Sequence, residues 1–369
     1  MEWLVNVFTY QGPDPRPSTQ EARGLQGNLM GTYSKHVSTV HWGHGGDWED
    51  FFEQAYRLNA ALEGFGARNV WVQVDGRSTA VNAATGERRP TTDLEHLPIY
   101  GAQPGRPGHF LSVTVDDRLA DSYASHAAFL AAAGRPFRVA GFGTDANDIV
   151  EVIQLMSREG VRDFFVKANP AKTGLFQFAI PAGSTDREVF RSFSAMASDA
   201  VMHLEGKADA FFVQGRVDME YEYRLFVVDH RVVAGAGCIE EHTPLDNLGD
   251  TFDPRVRRSR PQRSAVETRP EVVVDLVAFG SRVVADLAAE VPDLGTYVLD
   301  VALGSNGAPL AIELNGMLNA GLYAVNPTLI TRAMADAPHT SMPTRPAMMA
   351  GLGRFVASGV RDDAVIRMV

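Results

Sequence analysis

Three oxygen-bearing side chains late in the chain are spaced to share one cation: Asp300, then Glu313 and Asn315. Thr296 to Leu303 and Pro309 to Leu314 read as strands, joined at Gly304 to Gly307 by a turn of Ser-Asn-Gly type. Side chains two apart on a strand face the same way, so Glu313 and Asn315 share a face and Leu314 takes the other. Hairpin pairing then brings Asp300 beside them. Hard divalent cations such as magnesium bind carboxylate and carboxamide oxygens. Two carboxylates in a partly desolvated site repel one another, and a metal resolves that repulsion. The alternative is a pair of solvated carboxylates on the wet face of an antiparallel hairpin. The hairpin alone leaves both open.

Several basic residues suit an anion. Lys167 ends the apolar strand Asp163 to Lys167, where an ammonium either meets an anion or snorkels to water. Lys172 and Gly174 lie on the following turn and offer charge and backbone amides. Glu222 and Arg224 share a strand face, as a ligand-holding pair or as an ion pair of small worth. Arg255, Arg257, Arg258, Arg260 and Arg263 sit in a Pro/Arg/Ser-rich segment, 254–270, that reads as a long loop. It is either a mobile basic lid or a solvated linker. His36, His41, His44 and Asp47 follow no zinc spacing and read as solvated loop residues.

The elements that must position these groups are legible in apolar spacing. Trp3 to Thr9 reads as a strand, Asp47 to Leu62 as a helix and Val70 to Val74 as a strand, a β-loop-α-β opening. Turn residues dominate Gly76 to Phe110, and Gly101 to Gly108 reads as an exposed connector. A helix is expected from about Arg118 to Ala133, with Gly134 as its left-handed cap and Pro136 preventing continuation. Another is expected over Asn147 to Arg158. Leu175 to Ile180 pairs as a strand with Asp163 to Lys167. Thr185 and Glu188 have capping-box spacing and open a helix to about Leu204. Ala210 to Gln214, Tyr223 to Val228 and Arg231 to Cys238 read as strands, and Pro270 starts a helix running to about Glu290.

The composition is that of a globular protein: 45% hydrophobic and 21% charged over 369 residues, enough for two or three packed lobes. A net charge of −11 leaves no electrostatic footprint for nucleic acid, so small-molecule partners are expected. One cysteine, Cys238, cannot form an internal disulfide and fits a reducing compartment. No apolar run approaches the ~20 residues that span a bilayer, and MEWLVNVFTYQGPDP lacks a basic n-region. No membrane association and a cytoplasmic location are expected. A homodimer is the default assembly.

Taken whole, YVLDVALGSNGAPLAIELNGMLNAGLY resembles the terminal metal-binding hairpin of ATP-grasp enzymes, in which an Asp and a Glu-x-Asn hold magnesium against the ATP phosphates. Asp300, Glu313 and Asn315 match that pattern. FFVKANPAKTG resembles the strand-Lys-loop unit that approaches the phosphates, which implies nucleotide contacts for Lys167 and Lys172. AFFVQGRVDMEYEYRLFVVDHRVVAG resembles the hinge and β-ribbon that follow. The resemblance implies adenine contacts for Gln214, Arg216 and Val217, a ribose or sheet-ordering role for Glu222, and phosphate or acyl-phosphate contact for Arg224. Near Arg118, relatives place a phosphate-contacting lysine. That arginine-for-lysine departure resembles a divergent clade of phages and bacteria. At Val298 D-alanine:D-alanine ligases place an arginine, so the departure there speaks against that particular mechanism.

The resemblance implies an α/β (α+β) ATP-grasp fold: a pre-ATP-grasp α/β domain over 1–115, subdomain A over 116–210, subdomain B over 211–345 and a C-terminal segment, 346–369. It also implies ATP and Mg2+ as cofactors, with catalytic roles for Arg224 and Lys167. The expected activity is ligation of a small-molecule or peptide carboxylate to an amine through an acyl phosphate. Alternatives are a kinase acting on a hydroxyl group and a non-catalytic ATP-binding module.

Overall fold

The computed structural model describes residues 1–7, 37–40, 56–74, 78–97, 99–101, 105–106, 109–110, 126–141, 149–169, 175–204, 210–259, 265–292, 296–317, 320–337 and 366–368. Its first lobe contains β1 (Trp3–Val7), helix α1 (56–66), β2 (Val70–Val74), β3 (Thr79–Asn82), β4 (Arg88–Pro90) and β5 (Ile99–Gly101). The strands form one sheet in the order β4-β3-β2-β1-β5, and β1 is parallel to both β2 and β5. Parallel neighbours need a crossover, which explains why α1 lies between β1 and β2. The helix runs past its expected end at Leu62: its last turn, Leu62–Gly66, widens to π geometry before a 3-10 turn, Ala67–Asn69, enters β2. The stretch read as turns, 76–110, holds β3, β4 and β5. Strands this short, one ending in Arg-Arg-Pro, leave too little alternation to be seen in sequence.

Next come α2 (Ala127–Ala132), β6 (Phe137–Gly141), α3 (Ile149–Arg158), β7 (Asp163–Asn169), β8 (Leu175–Ala179), α4 (Asp186–Leu204) and β9 (Ala210–Gly215). These strands form an antiparallel sheet, β8-β7-β9-β6. Ile153, Met156, Phe164, Phe178, Phe193 and Val213 fill the core between this sheet and α3 and α4. The Thr185–Glu188 capping box is present: Glu188 Oε2 accepts from Thr185 N, and Glu188 N donates to Thr185 Oγ1. Two expectations change. The helix expected from Arg118 starts at Ala127, because His126 is extended (ψ 119°) and the first amides of α2 donate to Glu290. It does end at Gly134, whose φ is +62°. Strand β6 is additional to the expected elements; a five-residue edge strand after Pro136 carries a weak pattern. Because β9 pairs within this sheet, the change to the next sheet falls between Gly215 and Met219 and not at 210/211.

The third sheet, β11-β10-β14-β15, is antiparallel and contains β10 (Met219–Val228), β11 (Arg231–Gly237), β14 (Thr296–Gly304) and β15 (Pro309–Asn315). Between β11 and β14 lie the ribbon β12 (Arg255–Arg257) and β13 (Val266–Thr268) and helix α5 (Pro270–Glu290). Alternation assigns each face of the third sheet a job. Tyr221, Tyr223, Leu225, Tyr297, Leu299 and Leu314 pack with Leu276, Val283 and Leu287 of α5. From the opposite face, Phe226, Val228 and Val298 join the first-lobe core of Trp3, Leu4, Trp71 and Tyr100. Glu222, Arg224, Asp300, Glu313 and Asn315 take that second face too, by their even spacing from Phe226 and Val298 and their odd spacing from the α5-facing Leu314. Helix α6 (Pro327–Asp336) closes the described core, with Ile330 and Met334 against the first lobe. Gly64 of α1 lies so close to Thr331 of α6 that a Cβ there would meet the Thr331 side chain. No described helix is long and apolar enough to cross a membrane.

Candidate nucleotide and metal site

Hairpin pairing sets Glu313 directly opposite Asp300, and β10 sets Arg224 opposite Asp300 on the other side. Asp300 is the central residue of this row and is fully buried. Arg224 meets it end-on, Nε donating to Oδ1 and Nη2 to Oδ2, each at 2.8 Å. Such a fork fixes the guanidinium plane as well as its charge. The third guanidinium nitrogen, Nη1, donates to the Gly321 carbonyl at 3.1 Å, and the ring of Tyr323 lies 5.0 Å from Cζ. Burial opposes the Arg224 charge, but Asp300 outweighs it and holds the guanidinium well above its ordinary pKa.

Asn315 joins the two carboxylates. Its Nδ2 donates to Asp300 Oδ2 at 3.0 Å and to Glu313 Oε1 at 2.9 Å. The other Glu313 oxygen receives Lys167 Nζ, which arrives from β7 of the preceding sheet. Lys167 and Glu313 keep 14% and 19% of their side-chain surface in contact with solvent, against 8% and 0% for Arg224 and Asp300. The site is therefore graded, from a sealed Arg224–Asp300 pair to a Lys167–Glu313 pair at the rim. Cys238 belongs to the same neighbourhood: burial pushes its thiol up, and the carboxylates of Glu222 and Asp300 push further. Burial likewise raises the Tyr323 phenol, so both remain neutral at physiological pH.

These contacts change what the paired carboxylates imply. Asp300 and Glu313 do lie side by side, but the chain balances them with Arg224 and Lys167, so their proximity by itself does not require a metal. The donors still suit one: two carboxylates and a carboxamide are hard oxygen ligands. Among the described residues no group of three or more His, Cys, Asp or Glu forms a separate metal cage. A divalent cation here would rest on Asp300, Glu313 and Asn315, plus oxygens brought by a ligand or by water.

The other expected residues are placed as follows. Gln214 is buried at the end of β9, its Oε1 accepting from Arg135 Nε at 2.9 Å. Arg216 and Val217 lie between β9 and β10, where Arg216 N donates to the Asp163 carbonyl. Glu222 lies on β10 opposite Ala302. Arg118, Lys172, Gly174, His36, His41, His44 and Asp47 lie outside the described residues, as do Arg260 and Arg263. The expected long arginine loop is instead partly a ribbon. Arg255 is paired with Asp253, Arg257 with Glu241, and Arg258 with Glu220 and Glu267. Those three arginines are engaged by acids of the chain itself, which removes them from a free basic lid.

Two supporting residues escape the sequence reading. Arg135, just after the α2 cap, donates to the carbonyls of Ala311 and Ile312 at 2.6 and 2.8 Å, tying the second sheet to β15 beside Glu313. Arg57 of α1 is buried and reaches the carbonyls of Met317 and Ala320. Neither carries a motif; a lone arginine after a cap or within a helix reads as solvated.

Residues 126–334 match a family model for an ATP-grasp domain, the third family of its clade. Among solved structures, the chain is similar to the D-alanine-D-alanine ligase from Coxiella burnetii, at 12% identity, covering 96% of this chain and 97% of that one with a TM-score of 0.43. It is also similar to macrocyclase MdnC bound with precursor peptide MdnA from Microcystis aeruginosa MRC, at 10% identity, 91% and 98% coverage and a TM-score of 0.41. D-cycloserine synthetase DcsG is similar at 14% identity, 90% and 99% coverage and a TM-score of 0.40. No curated protein matches the chain.

Proposed function

The chain belongs to the ATP-grasp family, and from that premise we propose that it is an ATP-dependent, magnesium-requiring ligase joining a carboxylate to an amine. The observation that carries this reading is the meeting of Lys167 from one sheet with Glu313 from the next, beside the Arg224–Asp300–Asn315 row. Phosphoryl transfer asks a protein for positioned charge more than for a nucleophile. Positioned charge is what these residues supply, while the Cys238 thiol beside them is held protonated and so is a poor nucleophile.

In this reading a substrate carboxylate oxygen attacks the γ-phosphorus, the bond to the β,γ-bridging oxygen breaks, and ADP leaves. The amine nitrogen then attacks the acyl carbon, loses its proton, and phosphate departs. Lys167 exchanges Glu313 for a phosphate oxygen. Arg224, anchored by Asp300, presents charge to the transferring group. Asp300, Glu313 and Asn315 hold magnesium, which would neutralise the triphosphate. Gln214, Arg216 and Val217 line the base end, Glu222 the ribose end, and Arg118 and Lys172 add phosphate contacts. Residues 1–115, with the variable loops, supply the acceptor pocket, and the A and B subdomains meet between Gly215 and Met219. The substrates are amino acids or short peptides, and the working location is the cytoplasm.

The test is incubation of the protein with ATP, magnesium and pooled amino acids or short peptides, following ADP, phosphate and product mass. An amide product with ADP and phosphate is expected. A phosphorylated product without free phosphate would convert the reading to a kinase, and no substrate-dependent turnover would leave an ATP-binding module. Combining Asp300→Asn with Glu313→Gln should abolish magnesium-dependent turnover; unchanged turnover would sink the metal assignment.

A further inference from the structure

Helix α1 belongs to the first lobe, yet one of its side chains reaches the segment that leaves the candidate site. Arg57 is 3% exposed. Its Nη1 donates to the Met317 carbonyl at 3.3 Å and its Nη2 to the Ala320 carbonyl at 2.6 Å. These two carbonyls bracket the chain between Asn315, which bridges Asp300 and Glu313, and Gly321, whose carbonyl accepts from Arg224. Two residues on, Tyr323 holds φ at +48° while its ring lies against the Arg224 guanidinium. A non-glycine residue keeps that backbone only where its surroundings over-determine it. The segment is therefore gripped at one end by Arg57 and read at the other by Arg224.

The grip is itself fixed. Glu63, later on α1, pairs with Arg332 at 2.7 Å and accepts from Thr328 at 3.2 Å, both on α6. The close approach of Gly64 to Thr331 leaves little room for α1 to slide along α6. A carbonyl that accepts from a fixed cation becomes a fixed point of the backbone.

We propose that Arg57 is a positioning residue, holding Met317 and Ala320 so that Gly321 and Tyr323 keep Arg224 aimed at the transferring phosphoryl group. Seating of the first lobe thereby sets the geometry of the phosphate end. This rests on the reading of Arg224 given above. It separates Arg57 from an ordinary core residue, because its loss should fall on the γ-phosphate and spare the rest of the nucleotide.

Calorimetry on the full chain with magnesium compares adenylyl imidodiphosphate with ADP, in wild type, Arg57→Lys, Arg224→Met and the double variant. Arg57→Lys, which cannot span both carbonyls, should weaken the triphosphate analogue about tenfold, the scale of one charged hydrogen bond, and change ADP affinity less than about twofold. In the Arg224→Met background it should add nothing, since coupled residues are non-additive. Arg57→Gln repeats the comparison without the buried charge. Equal weakening of both nucleotides, or an undiminished effect in the double variant, marks Arg57 as merely structural and overturns the proposal. If Arg224→Met lowers the analogue-to-ADP ratio and Arg57→Lys does not, only this inference fails. If Arg224→Met leaves that ratio unchanged, the assignment of Arg224 fails, and this one with it.

Discussion

Arg224 and Asp300 face each other across neighbouring strands and share two 2.8 Å hydrogen bonds in a setting almost closed to water. Removing one partner of such a pair strands the other as a bare buried charge, at a cost of about 3–5 kcal/mol, whereas replacing both with apolar groups costs far less. Asp300→Ala and Arg224→Met should each lower stability on that scale in urea titration. Arg224→Met combined with Asp300→Leu should recover most of the loss. Additive losses in the double variant would mean that the pair does not act as a unit.

Lys167 and Glu313 form the opposite case, at the rim of the same site. Both remain partly in contact with solvent, so their mutual attraction is screened and worth about 1 kcal/mol or less to the fold. Lys167→Met should therefore leave the urea midpoint nearly unchanged while weakening a non-hydrolysable ATP analogue by about tenfold or more, the scale of a lost charged contact. Raising the salt concentration should narrow the gap between variant and wild type. A large stability loss without a change in nucleotide affinity would recast Lys167 as a structural residue.

Sequence reveals the parts of this site that obey periodicity. Glu313 and Asn315 are readable as neighbours because strand alternation is rigid, and Asp300 joins them through a recognisable hairpin turn. Which charge meets which is not readable. Glu222 is the acid nearest Arg224 on its own strand face, but the guanidinium is committed to Asp300 on the next strand. Cross-strand partners depend on register, and the bulge between Asp300 and Val301 shifts the register of β14 against β15 at that point. Arg57 and Arg135 stay invisible for a related reason: each bonds to backbone carbonyls far along the chain, and a carbonyl has no sequence signature. The short strands of 76–110 are lost because three or four residues hold no period.

Helix α5 packs its Gly280 against Leu225 of β10 so closely that a Cβ there would overlap the Leu225 side chain. Alanine normally favours a helix interior over glycine by roughly 1 kcal/mol, and this contact should reverse the sign. Overpacking a filled core costs about 1–3 kcal/mol, so Gly280→Ala should be destabilising in thermal or urea unfolding. Leu225→Ala in the same chain should relieve the overlap and make Gly280→Ala neutral or favourable. A stabilising Gly280→Ala on its own would show that α5 can move away from the sheet at little cost.

Glu290, the last residue of α5, caps a helix that begins far earlier in the chain. Its two carboxylate oxygens accept from Ala127 N and Ala128 N, each at 2.9 Å, meeting donors that α2 cannot satisfy internally. The hydrogen bond from Ala128 is the largest cause of a carboxyl pKa held below the ordinary glutamate value, with Ala127 and the nearby His126 adding to it. A group whose pKa is lowered by folding contributes stability in full above its unfolded value, about 4.3, and loses it as pH falls through the lower folded value. Glu290→Ala should thus cost about 0.5–2 kcal/mol at pH 7, the usual worth of a cap. The difference between wild type and variant should shrink below about pH 4.3. Urea titrations of both proteins across that range test the sign: a gap that holds or widens in acid would show that the carboxylate charge is not what α2 responds to.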